Sequence, residues 1–152
     1  MKQIIISAET DLGVDIDGSS IGARELTTNA LFKDIEVVHI TQPKNYIKSK
    51  SDDDLQKNIE EINKYNNKLF NTILAYEENN YFPITVGGDH SVSIGSTLAS
   101  QKIHENIGVI WIDAHPDFNT FETTETGNIH GLPLTTISGY HNDSLRKFSN
   151  SF

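Results

Sequence analysis

The chain has 152 residues, no cysteine, and 12 basic against 21 acidic side chains, a formal net charge of −9. Disulfides, thiolate metal sites and cysteine nucleophiles are therefore excluded, and the acidic field argues against nucleic acid as a partner. The apolar run Ile4-Ile5-Ile6 is too short for a signal peptide and no run approaches the ~18 residues of a membrane span, so a cytoplasmic protein with no membrane partner is expected.

In chain order, Gln3 to Ala8 (QIIISA) has the short, β-branched character of a strand. Ile21 to Phe32 follows as a moderately amphipathic helix, and Ile35 to Ile40 (IEVVHI) as a second strand. Thr41 to Lys50 is a polar loop. Ser51, Asp52, Asp53 and Asp54 offer an N-cap and acids against the positive end of a second helix. Its apolar stripe is Leu55, Ile59, Ile62, Tyr65, Leu69, Ile73 and Tyr76, spaced by threes and fours to pack on a sheet. Phe82 to Val86 is the third strand, Ser91 to Ile103 the third helix and Ile107 to Ile112 (IGVIWI) the fourth strand. The tail from Gly139 to Phe152 is polar and has no strand pattern. The alternation of strands and helices implies parallel strands with right-handed crossovers, a three-layer α/β/α sheet in one domain over residues 1–152.

Such sheets place function in loops at the carboxyl ends of strands. The third strand runs into Gly87-Gly88-Asp89-His90-Ser91 and the fourth into Asp113-Ala114-His115-Pro116-Asp117. In extended backbone, residues at i, i+2 and i+4 point to one side, so Asp113, His115 and Asp117 can converge. Two converging carboxylates repel unless a divalent ion, or a pair of ions, lies between them. Carboxylate and imidazole without thiolate suit manganese, other hard ions, zinc or iron. The plainer alternative is that Asp89 only caps the third helix and His90 sits in its first turn. His39 reads as structural, His104 as a helix-end cation, and His141 belongs to the tail. The loop from Asn119 to Asn128 is rich in hydroxyls and amides, suited to a small polar ligand or simply to solvent. His130 opens a helix near the same edge and is suited to carrying a proton.

GGDHS, then DAHPDFNT, then GNIHGLPL, in this order and at these intervals, resemble the ureohydrolases, and within them the arginases most closely. The resemblance covers nearly the whole chain. It implies the three-layer arginase-like fold and a manganese-dependent hydrolase that converts L-arginine and water to L-ornithine and urea. It further implies a two-manganese centre with a metal-bridging hydroxide. His90 and Asp117 would hold one ion, His115 the other, and Asp113 would bridge them. His130 would shuttle the proton, with Asp117 at the catalytic ions. Asn119, Thr124, Thr126 and Asn128 would recognise the amino-acid end of a guanidino substrate. Thr126 departs from the family, which usually carries serine there. The family also takes two metal-binding aspartates from a later Asp-x-Asp motif, and a later acid for the guanidinium. Neither has a counterpart here, and Asp143 is no replacement. The resemblance thus implies an incomplete domain, an amino-terminal half that is inactive alone. Strands of the other half would lie between the third and fourth strands. The alternatives are an agmatinase or other amidinohydrolase, or a non-catalytic metal-binding fragment. Trimers or hexamers are the family's oligomers.

Overall fold

A computed structural model of the chain describes residues 1–49, 51 and 54–148. Its sheet has three parallel strands, β1 (Lys2–Glu9), β2 (Val37–Thr41) and β3 (Tyr81–Gly87), in the order β2-β1-β3. The central strand is β1, with Ile5 opposite Val37 on one side and Ile84 on the other. Its side chains alternate between two covered faces, which is why the strand is apolar almost throughout. Ile4, Ile6 and Ala8 enter the main core with Ile62, Leu69 and Ile73 of α2 (Ile59–Glu78) and Ile94 and Leu98 of α3 (Val92–Ile103). On the other face, Ser7 and Glu9 meet Thr27 and Arg24 of α1 (Ser19–Thr27). The result is the expected α/β/α layering, built on a parallel sheet.

Local chemistry explains how closely the helices approach each other and the sheet. Gly95 of α3 packs on α2 where a Cβ would lie 2.7 Å from the Asn66 carbonyl oxygen. The Gly95 amide donates to Asn66 Oδ1 at 3.0 Å. Tyr65 donates its buried hydroxyl to the Ile40 carbonyl at 2.7 Å, fastening α2 to β2.

Four expectations need correction. Ile107 to Ile112 forms no strand; Ile110 and Ile112 are 88% and 94% exposed. A strand needs a neighbour, and this segment has none among the described residues. The Ile5 amide donates to the Glu36 carbonyl on the β2 side, and the Ala8 carbonyl accepts from Gly88 on the β3 side. Alternation along the ladder therefore turns the backbone of Pro83 and Thr85 to the open edge of β3, where proline has no N–H to offer. Residues 107–110 face that edge across a gap of about 400 Å³.

The helix expected over Ile21 to Phe32 instead runs from Ser19 to Thr27, followed by a separate 3-10 turn at Ala30–Phe32 capped by Asn29. The second helix starts at Ile59, not after Ser51, and Leu55 lies outside it. Asp52 and Asp53 of the expected cap lie outside the described residues. The reason for the late start is Asn58, which stands in a left-handed conformation (φ 59°). Its carboxamide accepts from the Ser49 amide at 2.7 Å and donates to the Leu12 carbonyl at 3.0 Å. The tie to Leu12 holds Asn58, and with it Ser49, against the β1–α1 loop. Finally, His130 lies in a 3-10 turn, Ile129–Gly131, and the helix α4 begins beyond it at Pro133 (Pro133–Ile137). The described part of the tail has the expected lack of strand. It forms a 3-10 turn at Asp143–Arg146 that buries Leu145. No helix among the described residues is long and apolar enough to cross a membrane.

Candidate metal centre and substrate cleft

Two chain turns bring the acids and the imidazole together. After β3, Gly88 passes so close to the first loop that a Cβ would lie 1.8 Å from the Thr10 carbonyl oxygen. Asp89 follows, buried, and its carboxylate accepts from the Ser91 amide at 2.8 Å and from the Gly13 amide at 3.0 Å. It therefore fixes the turn that leads into α3 and also clamps the β1–α1 loop. Burial raises its pKa, and these hydrogen bonds only partly offset the effect. His90 is thereby carried to the rim beside the second turn.

That second turn is a bend at residues 113–115, not extended backbone. Asp117 ends it with φ 45°, a left-handed conformation that is strained for a non-glycine residue. Its buried carboxylate meets His90 Nδ1 at 2.7 Å, while Asp113 Oδ2 lies 3.3 Å from the same nitrogen. One ligand atom from each of His90, Asp113 and Asp117 lies within 4.8 Å of the others. Two hard oxygens and one imidazole nitrogen at that separation fit a divalent ion. His115 stands apart, with a side chain 82% exposed and its Nδ1 3.6 Å from Asp113 Oδ1. Its backbone contributes more directly. The His115 amide donates to Asp113 Oδ1 at 2.8 Å and, with the two imidazoles nearby, lowers the Asp113 pKa.

A cleft of about 480 Å³ opens from this group. His90, His115, Asp117, Asn119, Thr124, Thr126, Asn128 and His130 all line it. The hydroxyl-rich loop is ordered by its own side chains. Thr123 Oγ1 accepts from the Thr120 amide at 2.8 Å and donates to Asn119 Oδ1 at 3.1 Å. Thr124 Oγ1 accepts from the Gly127 amide at 3.1 Å, and Thr126 Oγ1 from the Asn128 amide at 3.3 Å. A hydroxyl that accepts in this way keeps its proton to donate. Behind Asn119, the buried Thr135 hydroxyl donates to its carbonyl at 2.6 Å and accepts from Asn142 at 2.7 Å. His130 is fixed to the first loop, its amide donating to the Gly13 carbonyl at 3.1 Å and its Nδ1 lying 3.0 Å from the same oxygen. A carbonyl can only accept, so Nδ1 carries the proton and Nε2 is left unprotonated in the neutral ring.

Sequence reasoning missed the opposite wall, the loop at residues 10–18. Val14, Asp15, Ile16 and Ser19 line a second cavity of about 530 Å³ with Asp89, His90, Asn128 and His130. Asp11 anchors the loop. It accepts from Gln42, from Ser20 and from the Gly18 amide, and Lys48 lies 3.3 Å away. Burial pushes its carboxyl up, but these partners outweigh burial and bring it down to about 2. The available signal was acids and glycines directly after a strand, at the carboxyl end where such sheets place ligands. Nearby, burial pushes Glu9 up while Arg24, His39 and Ser7 hold it below its ordinary value. His39 is thus structural, meeting Glu9 at 2.6 Å.

The Arginase family model matches residues 2–148. An arginase of Bacillus caldovelox is 33% identical over 154 residues, covering 95% of this chain and 52% of the relative. An arginase of Staphylococcus aureus is 39% identical over 132 residues, covering 84% of this chain and 44% of the relative. The crystal structure of Entamoeba histolytica arginase in complex with L-ornithine superposes with a TM-score of 0.84 at 28% identity, covering 99% of this chain and 53% of that one. The chain spans about half the length of the curated relatives it matches. A family match over almost all of its residues, on a parallel α/β sheet shared with solved arginases, establishes that the chain belongs to the arginase family.

Proposed function

We propose that the cleft is an arginase-type centre that holds manganese and serves the hydrolysis of L-arginine to L-ornithine and urea. The observation that carries this reading is convergence. Three metal-type ligand atoms lie within 4.8 Å, at the mouth of a cleft whose lining includes Asn119, Thr124, Thr126, Asn128 and His130. His90, Asp113 and Asp117 would hold an ion, with His115 the donor toward a second. When bound, manganese supplies the Lewis acidity that brings a water's pKa from 15.7 toward ~7.

The chain's own residues do the rest. Asn119, Thr124, Thr126 and Asn128 bind the substrate's carboxylate and amino group, which places the guanidinium carbon toward the acids. The hydroxyl protons left free by the turns are the donors to the carboxylate. His130, fixed by Gly13 through Nδ1, would take up at its unprotonated Nε2 a proton released by the attacking water and deliver it as the bond to the leaving amine breaks. Two tight ions need more donors than His90, Asp113, His115 and Asp117 provide. Weak manganese binding and little urea release by these 152 residues alone are therefore expected.

The test is calorimetric titration of the Mn²⁺-loaded chain with L-arginine, L-ornithine and agmatine, with urea assayed in the same samples. L-Arginine and L-ornithine should bind. Agmatine, which lacks the carboxylate, should bind at least ~10-fold more weakly, since hydrogen bonds to charged groups are worth ~1.5–3 kcal/mol. Equal binding of agmatine would remove arginine as the substrate. Binding of none of the three would remove the reading.

A further inference from the structure

Asp15 belongs neither to the metal group nor to the hydroxyl-rich loop. Its Oδ2 accepts from Asn128 Nδ2 at 3.1 Å, across 113 positions of sequence. Lys57 Nζ lies 3.3 Å from Oδ1 and 3.2 Å from Oδ2, donating to the same carboxylate. The Lys57 side chain is 1% exposed and that of Asp15 36% exposed. A buried ammonium persists only when an opposite charge and hydrogen bonds compensate its lost hydration. The pair is therefore a fixture of the loop, and the loop itself is braced. Lys48 donates to the Val14 carbonyl at 3.1 Å and the Gly13 amide to Asp89 at 3.0 Å.

A carboxylate accepts and never donates, so the end of the Asn128 carboxamide that meets Asp15 is its nitrogen. That contact sets which way round the amide stands. Without it the terminal torsion has two broad, nearly equivalent wells, and the amide presents either edge. Asn128 is buried and faces both cavities, beside His90 and His130.

We infer that Asp15 is a positioning residue: held by Lys57, it fixes which edge of the Asn128 carboxamide meets the amino-acid end of a guanidino substrate. The inference rests on the arginase-type reading of the cleft. It predicts that a charge pair between the β1–α1 loop and Lys57, just ahead of α2, tunes substrate affinity without touching substrate or metal.

The test has two readouts on the full 152-residue chain. Side-chain amide resonances of Asn128 are recorded without metal, and L-arginine affinity is measured by calorimetry with Mn²⁺. The variants are Asp15→Ala, Asp15→Ala/Lys57→Met and Lys57→Arg. The double variant also removes the buried cation, should Asp15→Ala alone fail to fold. In the wild-type chain the two Asn128 Nδ2 protons should be well separated and slow to exchange. Both Asp15 variants should lose that signature and weaken L-arginine about tenfold, the low end for one hydrogen bond to a charged group. Lys57→Arg should keep both properties. An unchanged Asn128 signature in a folded Asp15 variant overturns the inference. So does a lost signature with L-arginine affinity unchanged. If the wild-type chain binds no L-arginine, the arginase reading and the substrate part of the inference fall together, and the Asn128 signals still decide whether Asp15 orients the amide.

Discussion

Asp11→Asn is the substitution whose cost follows most directly from the structure. The Asp11 side chain is 5% exposed and accepts hydrogen bonds from Gln42, Ser20 and the Gly18 amide. Its carboxyl stands at about 2, against an ordinary value of 3.8. A folded pKa below the unfolded one stabilises the protein above the unfolded value, and that stabilisation disappears as pH falls through the folded value. At ~1.36 kcal/mol per pH unit the carboxylate contributes about 2 kcal/mol at pH 7, and roughly half of that remains at pH 3. Asparagine removes the charge and turns an N–H₂ toward groups that already donate. The assay is urea denaturation of wild type and variant at pH 7, 5, 4 and 3. The difference between the two proteins is the readout, because the other carboxylates titrate in both. The expected difference is ~2 kcal/mol from pH 7 to 5, shrinking below pH 4. A difference that is constant with pH, or that grows in acid, would refute the electrostatic account of this anchor.

Other substitutions probe the walls of the cleft. Gly88→Ala would place a Cβ 1.8 Å from the Thr10 carbonyl oxygen, so the loop bearing His90 must shift. We expect a loss of several kcal/mol or no folded protein, as judged by thermal melts. Asn119→Ala and Thr126→Ala should each weaken L-arginine by ~10- to 150-fold in calorimetry, with manganese binding unchanged. Thr126→Ser, which keeps the hydroxyl and drops the methyl, should match or exceed the wild-type affinity. If all three changes are silent, the loop is merely solvated.

Much of this was legible in the chain because it depends on local pattern. Ile4, Ile5 and Ile6 announce a strand covered on both faces, and Ile62, Tyr65, Leu69 and Ile73 a helix stripe. His90 is legible because it sits where β3 opens into a loop, and Asp113, His115 and Asp117 because they recur at spacing two after an apolar run. What escaped depends on distant partners. Ile107 to Ile112 has the composition of a strand, but pairing is a property of the neighbour, and β3 turns Pro83 outward beside it. The start of α2 is decided by Asn58 bonding to Leu12, 46 positions away. Asp11, Asp15, Lys48 and Lys57 look in the sequence like ordinary solvated charges. Only the fold, which brings Asp11 to Lys48 and Asp15 to Lys57, makes them anchors, all buried except the half-exposed Asp15. Asp113, His115 and Asp117 share one side only in extended backbone. The bend and the left-handed Asp117 instead group the two acids with His90 and turn His115 outward.

The central claim is that His90, Asp113 and Asp117 form a cation site at the mouth of the cleft. Electron paramagnetic resonance of free Mn²⁺ during titration of the wild-type chain, His90→Ala and Asp117→Ala tests it most directly. The wild-type chain should remove Mn²⁺ from the free signal in a saturable way, and each folded variant should bind at least tenfold more weakly. Wild-type binding that survives both substitutions, or a wild-type chain that leaves all the Mn²⁺ free, would contradict the account.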